Sequence, residues 1–247
     1  MRRALDLIGQ YFILMRKVFV KPDKMKIFLK QVWSEMEKLG LTSIAIVAII
    51  SFFMGAVITL QTALNFTNPL LPKYYIGLVA RDSILLEFSS TMVALILAGK
   101  VGSNIASEIG SMRITEQIDA MEIMGVNSAN YLILPKVIAS VLFNPFLTIL
   151  SMFIGIFGGG FIVAVTQVIR PADFIQGIQI FFIPFYVTYG IVKMVVFSFI
   201  ITTIPAFYGY YARGGSLDVG RSSTNSIVAS SIFILLFNLI LTQLMLI

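Results

Sequence analysis

The sequence predicts an all-α integral membrane protein of about five transmembrane helices, preceded by N-terminal amphipathic interfacial helices. Three observations carry this expectation. The 247 residues are 58% hydrophobic and only 12% charged, roughly half the charged share of a soluble domain. Much of the apolar content lies in uncharged runs such as Leu41 to Thr62 and Val137 to Ile169, each long enough to cross ~30 Å of hydrocarbon at ~1.5 Å per residue. The charge is gathered between those runs rather than spread through them, and the mean hydropathy is +0.93.

Absent residue types narrow the chemistry. With no cysteine and no histidine, thiol nucleophiles, Ser-His triads, Cys/His zinc sites, His-ligated haem and CxxC redox pairs are excluded. No GxxxxGK[ST] loop occurs. The segment "AGKVGS", Ala98 to Ser103, lacks the upstream glycine and has Val101 where the loop needs Ser or Thr. Any ATP used must therefore be bound by another chain. The net charge of +6 comes from basic residues flanking apolar runs, where anionic lipid headgroups rather than nucleic acid supply the counter-charge.

Residues 1–40 read as the amphipathic interfacial helices. Leu5, Ile8, Phe12 and Met15 recur at helical spacing, as do Met25, Leu29, Val32 and Met36, and Pro22 suits a first helical turn. Nine Lys/Arg fall here, each attracted to an anionic surface by ~1 kcal/mol. The segment has neither the short apolar core of a signal peptide nor, given Asp6, Asp23, Glu35 and Glu37, the acid-poor composition of a transit peptide.

Residues 41–247 read as the transmembrane domain, with spans at about 41–62, 83–100, 135–168, 185–211 and 224–246. Asn68, Pro69 and Pro72 break off the first span, and Glu87 and Lys100 mark the two ends of the second. In the third, Pro145 and Gly158, Gly159 and Gly160 predict one bent or closely packed helix rather than a hairpin. "RPADFIQGIQIFFIPF", Arg170 to Phe185, has loop and short-helix character. The fourth span holds Lys193, and the glycines and charges of "ARGGSLDVGRSSTN" separate it from the fifth.

Counting Lys/Arg assigns the sides. With a cytoplasmic N-terminus, fourteen fall in cytoplasmic segments, three (Lys73, Arg81, Arg170) on the opposite side, and Lys193 within a span. The stretch between spans two and three then faces the cytoplasm and the C-terminus faces away from it.

That stretch, "GSMRITEQIDAMEIMG" from Gly110 to Gly125, concentrates charge in an apolar chain. At ~100° per residue Ile114, Ile118, Met121 and Gly125 share one face, with Glu116, Asp119 and Glu122 as an acidic diagonal beside it. This is a cytoplasmic amphipathic helix too short and too charged to span. It either lies on the membrane with its acids in water or, because anionic lipid repels those acids, docks on a basic protein partner.

The intramembrane polar candidates are Gln61, Glu87 and Lys193. An isolated Lys at the centre of a span costs about 2.5–3.5 kcal/mol, so Lys193 faces protein, water or phosphate rather than lipid tails. Glu87 and Lys193 either pair structurally or line a path and contact lipid headgroups. Gln61 suits a helix–helix hydrogen bond ahead of ligand contact. Gly155 and Gly159 form a GxxxG that allows close helix approach, within the chain or between copies.

The segment "AGKVGSNIASEIGSMRITEQIDAMEIMGVNSANYLILPK", Ala98 to Lys136, resembles the signature region of the MlaE (YrbE-like) permease family, the membrane subunit of ABC-type lipid transporters that work with Mce-domain proteins. "FFMGAVITLQ" ending at Gln61, Glu87 in its span, "GIVKMVVF" around Lys193 and "GGSLDVGRSSTNSIV" from Gly214 to Val228 also resemble that family, so the likeness covers nearly the whole chain after the N-terminal helices. The sequence departs from the family at Ser89 and Ser90 in place of Gly-Pro, at Ser128 in place of a common proline, and at Lys100 and Lys136 in place of common arginines. Lys for Arg removes bidentate capacity at both places.

The resemblance implies that the stretch from Gly110 to Gly125 is a coupling helix seated on a partner ATPase, with Arg113, Glu116, Gln117 and Asp119 as polar contacts and Ile118 and Met121 as apolar anchors. It implies a homodimeric permease in the bacterial inner membrane, N-terminus cytoplasmic and C-terminus periplasmic. The expected cargo is phospholipid or a related lipid, moved between the inner membrane and a periplasmic Mce-domain protein so that outer-membrane lipid asymmetry is maintained. No catalytic residue, metal or cofactor is expected in this chain; ATP and Mg would be bound by the ATPase. Two other classes compete. A secondary carrier or channel using Glu87 and Lys193 as an ion relay predicts internal repeats with paired broken helices, which the sequence lacks. An intramembrane enzyme with a Ser-Lys arrangement at Lys193 lacks a serine placed beside it by any motif.

Overall fold

The computed structural model of the chain describes residues 2–22, 24–66 and 72–246. These are all-α, with no strand among them. The helices are α1 (Arg2–Val18), α2 (Met25–Asn65), α3 (Tyr74–Ile114), α4 (Gln117–Ile123), α5 (Ser128–Thr166), α6 (Pro171–Gln179), α7 (Phe185–Tyr210) and α8 (Ser216–Leu246). Five of them, α2, α3, α5, α7 and α8, are long and apolar enough to cross a membrane, the number expected from the sequence. Helices dominate because a backbone in hydrocarbon must satisfy its own hydrogen bonds.

Several boundaries differ from those expected. The segment at 22–40 and the first span form one helix, α2, and Pro22 lies before its N-cap, Lys24, rather than in its first turn. No proline falls between Met25 and Asn65 to stop the helix, and Met36–Leu41 adopts a π-helical turn that carries the backbone through Gly40. The second span begins at Tyr74 and continues past Lys100 to Ile114, with π-helical turns at Ile84–Met92 and Ala98–Gly102. The third run is a single helix, as expected, in spite of Pro135 and Pro145. The fifth starts at Ser216, because Asp218 sits favourably in its first turn. Asp23, Asn68 and Pro69 lie outside the described residues.

The chain divides into two compact units, Met1–Thr42 with Ala94–Phe143 and Val196–Ile240, and Ser43–Val93 with Asn144–Val195 and Leu241–Ile247. In the first, Tyr11 of α1 donates to Thr203 Oγ1 of α7 at 2.8 Å. The Asn130 amide donates to the carbonyls of Val18 (2.7 Å) and Val20 (2.6 Å) and the Asn127 amide to Lys17 (2.9 Å), satisfying backbone acceptors that the end of α1 leaves open. The buried Lys136 ammonium lies between Glu35 Oε2 (2.9 Å) and Glu108 Oε2 (2.7 Å), joining α5 to α2 and α3.

In the second unit, Ile58, Ile76, Ile84, Val163, Ile169 and Phe174 form an apolar core. Helices α2 and α5 approach until main chains touch. A Cβ added at Gly55 would fall on the Gly155 carbonyl, and one at Gly158 on the Phe52 carbonyl. The GxxxG at Gly155 and Gly159 therefore serves packing within the chain, with Ser51 Oγ donating to Ser151 Oγ at 2.8 Å beside it.

Candidate functional site

In the first unit, α3 ends at Ile114, and Glu116 then takes a left-handed conformation (φ 60°) before α4 begins. Such a conformation costs a non-glycine residue about 1–2 kcal/mol, and the neighbouring side chains hold it. Arg113 Nη1 lies 2.7 Å from Asp119 Oδ1 across the break, and Gln117 Nε2 donates to Thr115 Oγ1 at 3.0 Å. The far end of α4 closes with a Schellman motif: Val126 N–H donates to the Met121 carbonyl and Gly125 N–H to that of Glu122, both at 3.0 Å. Gly125 supplies the positive φ of 78° that this motif requires.

Glu122 fastens α4 to two long helices. Its Oε1 accepts from the Tyr210 hydroxyl at 2.7 Å and from Ser128 Oγ at 3.0 Å, while the two hydroxyls lie 2.9 Å apart. The Tyr210 hydrogen bond is the main reason that the Glu122 carboxyl is held below its ordinary value; burial opposes this, and Ser128, Lys17 and Arg113 reinforce it. The Arg113 guanidinium also stands over the Tyr210 ring, 5.8 Å from its centroid.

The break changes which residues α4 presents. Because α3 and α4 are separate helices, a single wheel drawn through Gly110 to Gly125 does not describe them. Ile118, expected as an apolar anchor, is 0% exposed and packs inside the chain. Met121 is half-buried, Glu116 and Gln117 are exposed, and Arg113 and Asp119 are paired with each other. The apolar side chains that project instead are Ile123, 88% exposed, and Met124, 70% exposed. Sequence reasoning missed Ile123, Met124 and Tyr210, and noted Ser128 only as a missing proline; the positive-φ position at Glu116, which sets the phase of α4, left no trace in composition.

In the second unit, the structure brings Glu87 and Lys193 together. Lys193 Nζ lies 2.9 Å from Glu87 Oε1, and the lysine side chain is fully enclosed. Tyr189 lies one turn away on α7; its ring faces the ammonium at 4.5 Å and its hydroxyl lies 2.8 Å from Thr242 Oγ1 of α8. Thr91 Oγ1 donates to the other carboxylate oxygen at 3.2 Å. Gln61 is exposed. Arg81, expected only as a charge outside the bilayer, is buried: its Nη1 donates to the carbonyls of Ile178 and Ile180, both at 2.8 Å, and it pairs with Asp82. It thereby caps the C-terminus of α6.

Five helices long and apolar enough to cross a membrane, with one short charged helix between the second and third, define a multi-pass membrane protein. The family description "Permease MlaE" matches residues 32–244, and the chain belongs to the MlaE permease family of ABC transporters. It is 31% identical over 247 residues to "Intermembrane phospholipid transport system permease protein MlaE" of Haemophilus influenzae, covering 98% of this chain and 92% of the relative. A "Probable ABC transporter permease protein" of Rickettsia bellii is 33% identical over 242 residues, covering 98% and 93%. The chloroplastic "Protein TRIGALACTOSYLDIACYLGLYCEROL 1" of Arabidopsis thaliana is 29% identical over 240 residues, covering 94% of this chain and 66% of the relative.

Proposed function

We propose that this chain is the permease subunit of an ABC transporter that moves phospholipid between the bacterial inner membrane and a periplasmic Mce-domain protein, maintaining outer-membrane lipid asymmetry. Two copies form the transmembrane dimer, each with its N-terminus cytoplasmic and α1 in the membrane interface. A separate ATPase binds ATP and Mg and docks on α4. The observation that carries the reading is α4 itself, a short helix fixed at both ends by capping and ion pairing, yet projecting Ile123 and Met124 to solvent beside Glu116 and Gln117. Apolar side chains offered from a rigid mount, with charge at their rim, suit a protein groove. The lipid cargo is supported by the phospholipid-transport permease of Haemophilus influenzae, matched over nearly the full length of both chains.

In this reading the Glu87–Lys193 pair is a structural tie with an accessible carboxylate edge. Its lysine, enclosed by Glu87, Tyr189 and the Leu86 carbonyl at 3.4 Å, suits cohesion better than capture of a headgroup.

Co-purification with the candidate ATPase tests the proposal. Glu116→Lys and Ile123→Asp, both at exposed side chains, are expected to release the ATPase while the permease still inserts and folds. Undiminished ATPase pull-down by the double variant removes the docking assignment, and lipid transfer that continues without any ATPase removes the transporter class.

A further inference from the structure

Two short chain links connect α4 to its neighbours, residues 115–116 on the α3 side and 124–127 on the α5 side. Each contains a positive-φ residue, Glu116 and Gly125. No chain link joins α4 to α7, whose last residue, Tyr210, is 88 positions away from Glu122 in sequence. Movement of α4 therefore reaches α7 through side chains, and the polar ones converge on Tyr210: a charge-assisted hydrogen bond to Glu122 at 2.7 Å, a hydroxyl contact with Ser128 at 2.9 Å and the Arg113 guanidinium over its ring.

We infer that the triangle of Glu122, Ser128 and Tyr210 is the joint that couples α4 to α7 and to the start of α5 during transport, with Tyr210 and Ser128 as positioning residues. The inference rests on the proposed role of α4 in docking the ATPase. Hydrogen bonds from hydroxyls to a carboxylate are short and directional, so the triangle holds one geometry. Packing of the enclosed Ile118 secures α4 against the fold but, being non-directional, does not fix how α4 is oriented about α7.

The test is the amount of lipid delivered to an acceptor per ATP hydrolysed by the complete permease–ATPase complex in nanodiscs. Tyr210→Phe keeps the ring beneath Arg113 and removes only the hydroxyl. It is expected to lower the lipid-to-ATP ratio at least fivefold, with Glu122→Gln and Ser128→Ala lowering it less. The Tyr210→Phe/Glu122→Gln pair should be no worse than Tyr210→Phe alone, because both act on one joint. Tyr211→Phe, which removes a neighbouring hydroxyl outside the triangle, should leave the ratio unchanged. A purely structural hydroxyl would lower the melting temperature and the yield of complex, and leave the ratio per assembled complex intact; that result overturns the joint. A wild-type chain that binds no ATPase overturns the docking reading on which it rests.

Discussion

Lys193 and Glu87 form an unequal pair: the ammonium is fully enclosed, whereas the carboxylate 2.9 Å away keeps 40% of its side chain accessible. Removing either partner therefore has a different cost. Glu87→Met leaves an enclosed cation with no counter-charge, expected to cost about 3 kcal/mol or more. Lys193→Met leaves a carboxylate that keeps Thr91 Oγ1 at 3.2 Å, Thr242 Oγ1 at 3.4 Å and the Tyr189 hydroxyl at 3.5 Å as donors, so the loss is smaller. Thermal unfolding in detergent should rank wild type above Lys193→Met above Glu87→Met. The double Met variant should lie nearer to wild type than Glu87→Met does, because replacing both ions by apolar side chains is often close to neutral. Equal melting temperatures for the two single variants would contradict this asymmetry.

Lys136 presents the opposite arithmetic, one buried cation between Glu35 and Glu108. Lys136→Met leaves two carboxylates facing each other and is expected to destabilise the fold by about 3 kcal/mol. Lys136→Arg keeps the charge and should retain most of the stability. Unfolding by denaturant would register the difference, and a harmless Lys136→Met would show that the two acids do not depend on the lysine.

Glu122 gives the first unit a pH signature. Its carboxyl is held below the ordinary 4.5 mainly by the Tyr210 hydrogen bond, so this group favours the folded state most above its unfolded value. The contribution is lost as the pH falls through the folded value. The melting-temperature gap between wild type and Tyr210→Phe should therefore be widest near neutrality and shrink below pH ~4.5. A gap that widens on acidification would mean that another group governs the response.

The glycines divide into two classes. Gly55→Ala and Gly158→Ala set a Cβ against a carbonyl of the facing helix, and each is expected to cost 1–3 kcal/mol or to force the helices apart (on the order of other overpacked cores). Gly220→Ala meets nothing within 4 Å and should be neutral or stabilising by up to ~1 kcal/mol. Melting temperatures of the three variants check the division.

The five spans were legible in the sequence because bilayer insertion depends on the composition of long runs, which needs no tertiary information. The ends of those spans were less so. Lys100 read as a terminus, yet its helix continues to Ile114, because a charged side chain at the rim of a helix need not break the backbone. Its ammonium reaches the Thr42 carbonyl. Glu87 and Lys193 were recognisable as partners from the cost of burying either alone. Tyr189, Thr91 and Thr242, which complete their surroundings, are ordinary helix residues whose roles depend on the packing of three helices. In the stretch from Gly110 to Gly125 the charge was visible, but the left-handed Glu116 was not, and that one dihedral angle moved the projecting apolar side chains from Ile118 to Ile123 and Met124.

The touching main chains of α2 and α5 bear on how the protein behaves once extracted. Apolar side chains in a bilayer gain little by leaving lipid for one another, since both surroundings are alike. A seam closed by glycine backbones draws its cohesion from dispersion and from the Ser51–Ser151 hydrogen bond, neither of which depends on the surrounding amphiphile. Exchange of lipid for detergent should leave that seam intact. Helix α8, only 11% of whose apolar window is covered by the rest of the chain, has most of its surface in the hands of its solvent, and the choice of detergent will be felt there first.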